Sequence, residues 1–246
     1  MSDKKNSRIA PSPEVSVVIP CYNEAKNIPL LAQRVQEIFS RLDSYSYECL
    51  FINDGSTDDT REQLEQLQST DSCVRALHLI HNMGQSAALI AGMHNAQGNY
   101  ILTLDGDLQN DPEDFPRILE LLNDYDCVCG YRTTRNDTWV RRVSSKIANT
   151  VRNGILHDGI RDSGCGTKGF RKKCVRSIVP FNGMHRFFAV LVRNAEFSVI
   201  ECPVAHHPRL HGISKYGLNN RLWRGLFDLV GVAWLRKRYI NPRIEE

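Results

Sequence analysis

No stretch of eighteen consecutive apolar residues occurs in this 246-residue chain. The sequence therefore holds no segment that reads as a membrane-spanning helix. Met1 to Pro13 is polar and charged and lacks the apolar core of a secretory leader. The eight cysteines (Cys21, Cys49, Cys73, Cys127, Cys129, Cys165, Cys174 and Cys202) include no C-x-x-C pair. That argues against a zinc site and for reduced, mostly buried thiols in a cytosolic protein. G-x-G-x-x-G is missing, which disfavours the usual dinucleotide fold, and G-x-x-x-x-G-K-[ST] is missing, which removes the P-loop. Ser163 and Cys165 lack a nucleophile-elbow setting, so covalent catalysis is not expected. His206, His207 and His211 cluster, but not at zinc-ligand spacing. A net charge of +3 is too small to imply a nucleic-acid partner.

What remains is an ordinary globular balance, 41% hydrophobic and 24% charged. Arg and Lys are concentrated from Arg132 to Arg176 and at the C-terminus, which points to an anionic, phosphate-bearing ligand. Strand-like and helix-like stretches alternate up to Tyr131. Val15–Pro20, Glu48–Asp54, Val74–Ile80, the run beginning at Ile101 and Cys127–Tyr131 read as strands. Ile28, Leu31, Val35, Ile38 and Phe39 mark a helix to about Leu42, and a second runs to about Ser69. Ala87–Met93 is a small-residue helix suited to close packing. Asp111 and Pro112 cap a further helix to about Asn123. This alternation predicts an α/β fold, a mostly parallel sheet with helices on both faces. Beyond it, Arg141–Leu156 and Phe187–Ala195 read as helices and Phe197–Pro203 as a strand. The glycine-rich Asp162–Phe170 stretch reads as irregular, and Pro208–Gly217 as a polar loop.

The stretch Ile101-Leu102-Thr103-Leu104-Asp105-Gly106-Asp107-Leu108-Gln109 is the most informative. A buried strand ending in two carboxylates places both at its C-terminal end, where open α/β sheets bind ligands. Such a pair resists full ionisation unless a cation lies between its members. Mg²⁺ or Mn²⁺ suits oxygen ligands, and a diphosphate can complete the shell. The plain alternative is an Asp-Gly turn. Against it, strand ends one and two carry further polar groups, Tyr22 with Glu24 and Asp54, and all these ends share one sheet edge.

The segments VSVVIPCYNEAKNI, FINDGSTDDT, NMGQSAALIAGMHNAQGNYILTLDGDLQNDPED, GYR and HHPRLHGISKYG resemble family 2 inverting glycosyltransferases. The likeness covers roughly residues 14 to 220 and is greatest to the polyprenyl- and dolichyl-phosphate sugar transferases. It implies a GT-A fold over 14–217, with a nucleotide-sugar half (14–131) and an acceptor half (132–217). A flexible tail (1–13) would precede this domain, and an amphipathic helix with a basic tail (218–246) would follow. It implies that Pro20, Tyr22, Glu24, Ile52 and Asp54 line the nucleotide pocket. Asp105, Gly106 and Asp107 would approach ribose, diphosphate and metal, and Gln109 would add a metal ligand. Arg209 and Lys215 would hold donor phosphates. Asp107 and Arg132 are the catalytic candidates, with Arg132, Arg135 and Ser214 toward an acceptor phosphate. For Arg135, Arg141, Arg142 and Lys146, a solvated basic helix face is the favoured reading.

Many family 2 enzymes acting on a hydroxyl carry an E-D pair followed by Q/R-x-x-R-W, and no such segment is present. A lipid phosphate is already an anionic nucleophile and needs no base. The expectation is therefore metal-dependent hexose transfer, from a donor of the GDP-mannose or UDP-glucose type, to polyprenyl phosphate at the cytoplasmic membrane face. A hydroxyl acceptor, or donor binding without turnover, are the alternatives. The C-terminal helix carries Asn219, Asn220, Arg221, Arg224 and Asp228 and cannot span a bilayer. Trp223, Phe227 and Trp234 ahead of Arg236-Lys237-Arg238 suit a helix lying on an anionic membrane, or packed on the domain, or both. Localisation is expected to be cytoplasmic, free or peripheral on the inner face of the membrane.

Overall fold

The computed structural model describes residues 12–133, 149–208 and 219–240, and only the backbone of 219–224. Strands β1 (Val15–Cys21), β2 (Tyr47–Asn53), β3 (Val74–His78), β4 (Tyr100–Thr103), β5 (Cys127–Arg132), β6 (Lys168–Arg171) and β7 (Val199–Val204) form one sheet in the order β3-β2-β1-β4-β6-β5-β7. β1 pairs in parallel with β2 and β4, β2 with β3, and β5 with β7. β6 runs antiparallel between β4 and β5. The glycine-rich stretch expected to be irregular thus ends in a strand, because Lys168-Gly169-Phe170 fills a gap that β4 and β5 do not close themselves.

Helices α1 (Ile28–Phe39), α2 (Thr60–Thr70), α3 (Gln85–Asn95) and α4 (Phe115–Leu121) connect the first strands. α1 buries Ile28, Leu31, Ala32, Val35, Ile38 and Phe39, a stripe at helical spacing. Val15, Val17, Ile19 and Cys21 of β1 face this core, joined by Leu64 of α2 and Ile118 of α4. Val18, Leu50 and Ile52 face the opposite core with α3, the helix Phe188–Asn194 and part of the C-terminal helix. A strand buried on both faces has to be apolar throughout, and VSVVIPC nearly is. The small residues of α3 have a direct use. A Cβ at Gly92 would fall 2.4 Å from Val18 Cγ1 and 3.0 Å from Ile52 Cγ1, so only glycine lets α3 sit this close.

The Asp111 cap holds as expected, its carboxylate accepting the Glu113 N–H, but the helix opens as a 3-10 turn, Pro112–Asp114, before α4. The C-terminal helix spans Asn219–Arg238. Its apolar residues are divided in space: Leu229 is buried, whereas Val230 and Trp234 are exposed. All eight cysteines are free, and all but Cys73 are buried. Among the described residues no helix is long and apolar enough to cross a membrane.

Candidate active site

The parallel order β2-β1-β4 brings three strand ends to one edge. The Asp54 N–H donates to the Cys21 carbonyl at 2.8 Å, and the Leu104 N–H to the Val18 carbonyl at 3.1 Å. Asp54 and Asp105 therefore lie at or just beyond the last rungs of the ladder. A Cβ at Gly106 would meet the Pro20 carbonyl at 3.0 Å and Cys21 Sγ at 3.2 Å. The glycine of the DGD triplet is what allows this loop to close onto the end of β1. Leu108, buried, takes a left-handed φ of 60° to turn the chain out of the site.

Asp105 is held from two sides. Its Oδ1 accepts a hydrogen bond from Gln85 Nε2 at 2.9 Å. On the other side lies Gly166, whose Cβ would fall 2.1 Å from Asp105 Oδ2. The Gly166 carbonyl is fixed in turn by the Thr103 hydroxyl at 2.7 Å. Burial, then repulsion from Asp107, push the Asp105 carboxyl up to about 6; Lys168, Arg132 and the Gln85 bond oppose the rise. Lys168 is buried, and its ammonium donates to the Cys165 carbonyl. Asp107 Oδ1 accepts the Gln109 N–H at 3.2 Å.

Asp54 is 4% exposed. Its two oxygens accept the N–H groups of Met83 at 2.7 Å and Gly84 at 2.9 Å, and its carbonyl accepts from Asn82 Nδ2. Burial raises its pKa, and these backbone donors limit the rise. Asp54 thereby shapes the loop that delivers Gln85 to Asp105. Glu24 Oε2 accepts from Asn27 Nδ2 at 2.5 Å, and the Glu24 N–H donates to Thr60 Oγ1. Between them, Asn23 adopts a left-handed φ of 54° and accepts the Thr57 N–H at 2.8 Å. The loops after β1 and β2 are thus clipped together.

Some expected residues stand differently from the sequence reading. Ile52 is fully buried and packs against Gly92 of α3, so its side chain offers no surface to a ligand. Arg132 makes a bidentate pair with Asp162, at 2.7 and 2.9 Å, beside Asp105. The Gln109 amide points its Nε2 at the His207 carbonyl, 3.4 Å away, and the His207 N–H returns to the Gln109 carbonyl at 2.7 Å. His207 Nε2 also lies 2.9 Å from Asp111 Oδ2. The two described histidines of the cluster, His206 and His207, therefore pin the loop after the DGD triplet. Tyr22 is half-buried. Arg135, Arg141, Arg142, Lys146, Arg209, His211, Ser214 and Lys215 lie outside the described residues, as does the N-terminal tail through residue 11.

Gln85, Gly166, Lys168 and Asp162 escaped the sequence reading. Gln85 and Lys168 each left a trace: a polar residue opening a small-residue helix, and a lysine near the end of the glycine-rich stretch Asp162–Phe170.

Among the described residues no cluster of three or more His, Cys, Asp or Glu side chains forms a metal cage. The acid pair nevertheless fits a hard divalent ion that takes its other ligands from a bound diphosphate and water. Asp105 ionises less readily than an ordinary carboxyl, a cost that such a charge would offset, and the bare Gly166 leaves its carboxylate room.

Residues 16–179 match Glycosyl transferase family 2. The chain belongs to that family. It is 33% identical over 226 residues to the undecaprenyl-phosphate 4-deoxy-4-formamido-L-arabinose transferase of Serratia proteamaculans, covering 91% of this chain and 69% of that one. It is 34% identical over 235 residues to the dodecaprenyl-phosphate galacturonate synthase of Rhizobium johnstonii, covering 93% and 69%. The fold resembles that of the glucosyl-3-phosphoglycerate synthase of Mycobacterium tuberculosis, solved with Mn²⁺, UDP and glucosyl-3-phosphoglycerate. There the TM-score is 0.66 at 16% identity, with 91% of this chain and 80% of that one covered. The family 2 chain is accordingly a glycosyltransferase with a GT-A type fold, and its DGD triplet occupies the C-terminal edge of the parallel strands.

Proposed function

We propose that the protein transfers a hexose or a related sugar from a nucleoside diphosphate sugar to a polyprenyl phosphate, with Mg²⁺ or Mn²⁺ held by Asp105 and Asp107. The observation that carries this reading is the pair of aspartates at the sheet edge, one of them raised in pKa by burial and by its neighbour and fixed in place by Gln85. The sugar-lipid relatives named above support the acceptor class.

In this reading the nucleoside lies across the ends of β1 and β2, against Pro20, Tyr22, Glu24 and the loop that Asp54 organises. Asp105 and Asp107 would hold the ion, with Gln109 beside them, and the ion would offset the charge of the departing diphosphate. Arg132 and Lys168 add positive potential at Asp105. Arg209 and Lys215 are assigned to the donor phosphates, and Arg135 and Ser214 to the acceptor phosphate. An acceptor phosphate oxygen forms the new bond to the anomeric carbon as the bond to the donor diphosphate breaks. The electron pair leaves with the nucleoside diphosphate, and inversion follows from attack opposite the leaving group. No proton has to be removed, which matches a site without an assigned base. What the chain supplies is alignment and charge. The transfer is placed at the cytoplasmic face of a membrane, with the C-terminal helix on its surface.

The test is incubation with a panel of labelled UDP- and GDP-sugars, Mn²⁺ and a short polyprenyl phosphate. The reading predicts a lipid-extractable product that mild acid cleaves, as it cleaves a glycosyl phosphate. An acid-stable product would point to a hydroxyl acceptor. Absence of transfer from every donor by folded protein would reject the reading.

A further inference from the structure

Helix α3 opens on Gly84, at a positive φ of 90°, an N-cap with no side chain to accept from the first turn. The direction of that turn is set instead by contacts on three consecutive residues. The Gly84 N–H donates to Asp54 Oδ2 at 2.9 Å, and Gln85 Nε2 to Asp105 Oδ1 at 2.9 Å. Ser86 reaches across to the second half of the chain. It is 4% exposed. Its Oγ accepts the Gly183 N–H at 2.9 Å and lies 2.7 Å from His185 Nδ1. A serine hydroxyl has one proton and two lone pairs. With Gly183 donating to it, a neutral imidazole carrying its hydrogen on Nε2 takes that proton at Nδ1, and the buried hydroxyl is satisfied.

The segment that Ser86 grips is itself stiff. Gly183 has a φ of 100°, and a Cβ there would fall 2.6 Å from Asp228 Oδ2 and 2.7 Å from Arg186 Nη2, so glycine is required. The 3-10 turn Met184–Arg186 follows. In it the Arg186 N–H donates to the Gly183 carbonyl at 3.2 Å, and the Phe187 N–H to that of Met184 at 2.7 Å. Met184 and Phe187 are buried in the core that α3 faces. Arg186 pairs with Asp228 of the C-terminal helix at 2.6 Å. The first turn of α3 is thus tied to Asp54 at Gly84 and to this braced segment at Ser86. Between the two ties stands Gln85, which cannot swing from Asp105 without straining them.

We propose that Ser86 and His185 are positioning residues for the divalent ion, holding the Gln85 amide on Asp105 by pinning the first turn of α3; this rests on the assignment of Asp105 and Asp107 as ion ligands made above. Their role is indirect and runs through Gln85. A clip that merely docks the two halves of the chain would differ in its consequences. Losing it would lower stability and leave the ion affinity of the folded chain unchanged. Losing a positioning pair weakens the ion site, and the effect vanishes once Gln85 is gone, because residues that act through one another are not additive.

The experiment is Mn²⁺ uptake by the full chain with UDP or GDP present, read from the electron paramagnetic resonance signal of the free ion, with circular dichroism melts to check folding. Ser86→Ala should weaken uptake by about tenfold, the lower end of what an outer partner of a metal ligand contributes. His185→Leu should match it. His185→Asn, whose side-chain oxygen can accept the hydroxyl proton near the position of Nδ1, should recover most of the loss. Gln85→Ala/Ser86→Ala should bind the ion no more weakly than Gln85→Ala. Wild-type uptake by folded Ser86→Ala and His185→Leu, whatever their melting temperatures, would overturn the proposal. So would a Ser86→Ala loss that adds in full to that of Gln85→Ala, or a His185→Asn variant as poor as His185→Leu. If Ser86→Ala does not fold, the comparison of the two His185 variants decides. Failure of the proposed function would show in the wild type, as no uptake with either diphosphate, and would remove this role with it. Failure of this role alone would show only in the variants.

Discussion

Gln85 Nε2 donates to Asp105 Oδ1 across 2.9 Å, joining the first turn of α3 to the carboxylate that closes β4. A ligand carboxylate oriented by a neutral amide keeps its remaining lone pairs aimed at an ion. Gln85→Ala should therefore weaken Mn²⁺ binding in the presence of UDP or GDP by about 10- to 100-fold. The donor KM should rise, and the acceptor KM should not. Unchanged Mn²⁺ affinity would show that Asp105 needs no such support.

Gly166 gives the same carboxylate its space. Adding one methyl places a carbon 2.1 Å from Asp105 Oδ2, so either the carboxylate or the loop has to move. Gly166→Ala should lower kcat by about 100-fold, the usual cost of a displacement near 1 Å. Steady-state kinetics against a thermal melt separates this from unfolding. A variant with wild-type kcat would mean the loop yields freely.

The Asp54 carboxylate accepts the Met83 and Gly84 N–H groups, one on each oxygen. Asp54→Ala should cost about 2 kcal/mol in urea unfolding, because two part-buried donors lose their partner. Asp54→Asn, which retains an acceptor, should cost less. Equal losses would argue that water replaces the carboxylate.

Asp105 also sets a pH dependence in metal-free protein. Its folded pKa of about 6 lies above the ordinary carboxyl value of 3.8, so folding favours the protonated form. That contribution is full below pH 4 and is lost as pH rises through about 6. Asp105→Asn should therefore be more stable than the wild type at pH 7.5, by about 1–3 kcal/mol, and no more stable at pH 4. Denaturant melts with a chelator present measure both. A wild-type chain more stable than the variant at pH 7.5 would contradict the burial argument.

The first half of the fold was readable from sequence because its signals are local. VSVVIPC, ECLFIND and YILTLDGD each place an apolar run directly before its polar end. A parallel sheet then gathers those ends on one edge whatever lies between them. Lys168–Arg171 was not readable as a strand. Its pairing with Tyr100–Thr103 spans some seventy residues, and Gly169 weakens the strand pattern. Gly169 is needed because a Cβ there would fall 2.4 Å from Ile118 Cγ2, a contact that only the folded chain reveals. The acids of the site were legible because carboxylates at strand ends are conspicuous. Their supports were not, since Gln85, Gly166 and Lys168 act through contacts distant in sequence. The two-faced character of the C-terminal helix was hidden for a similar reason. Leu229 and Val230 are neighbours in sequence, and only packing turns one inward and leaves the other in solvent.

The proposed function requires Asp105 and Asp107 to share a divalent ion with a nucleoside diphosphate. The most direct measurement is the electron paramagnetic resonance signal of free Mn²⁺, titrated with protein in the presence and absence of UDP or GDP. The wild type should remove one Mn²⁺ per chain from solution when its preferred diphosphate is present, and Asp105→Asn/Asp107→Asn should remove none. No uptake by the wild type with either diphosphate, or equal uptake by the double variant, would contradict it.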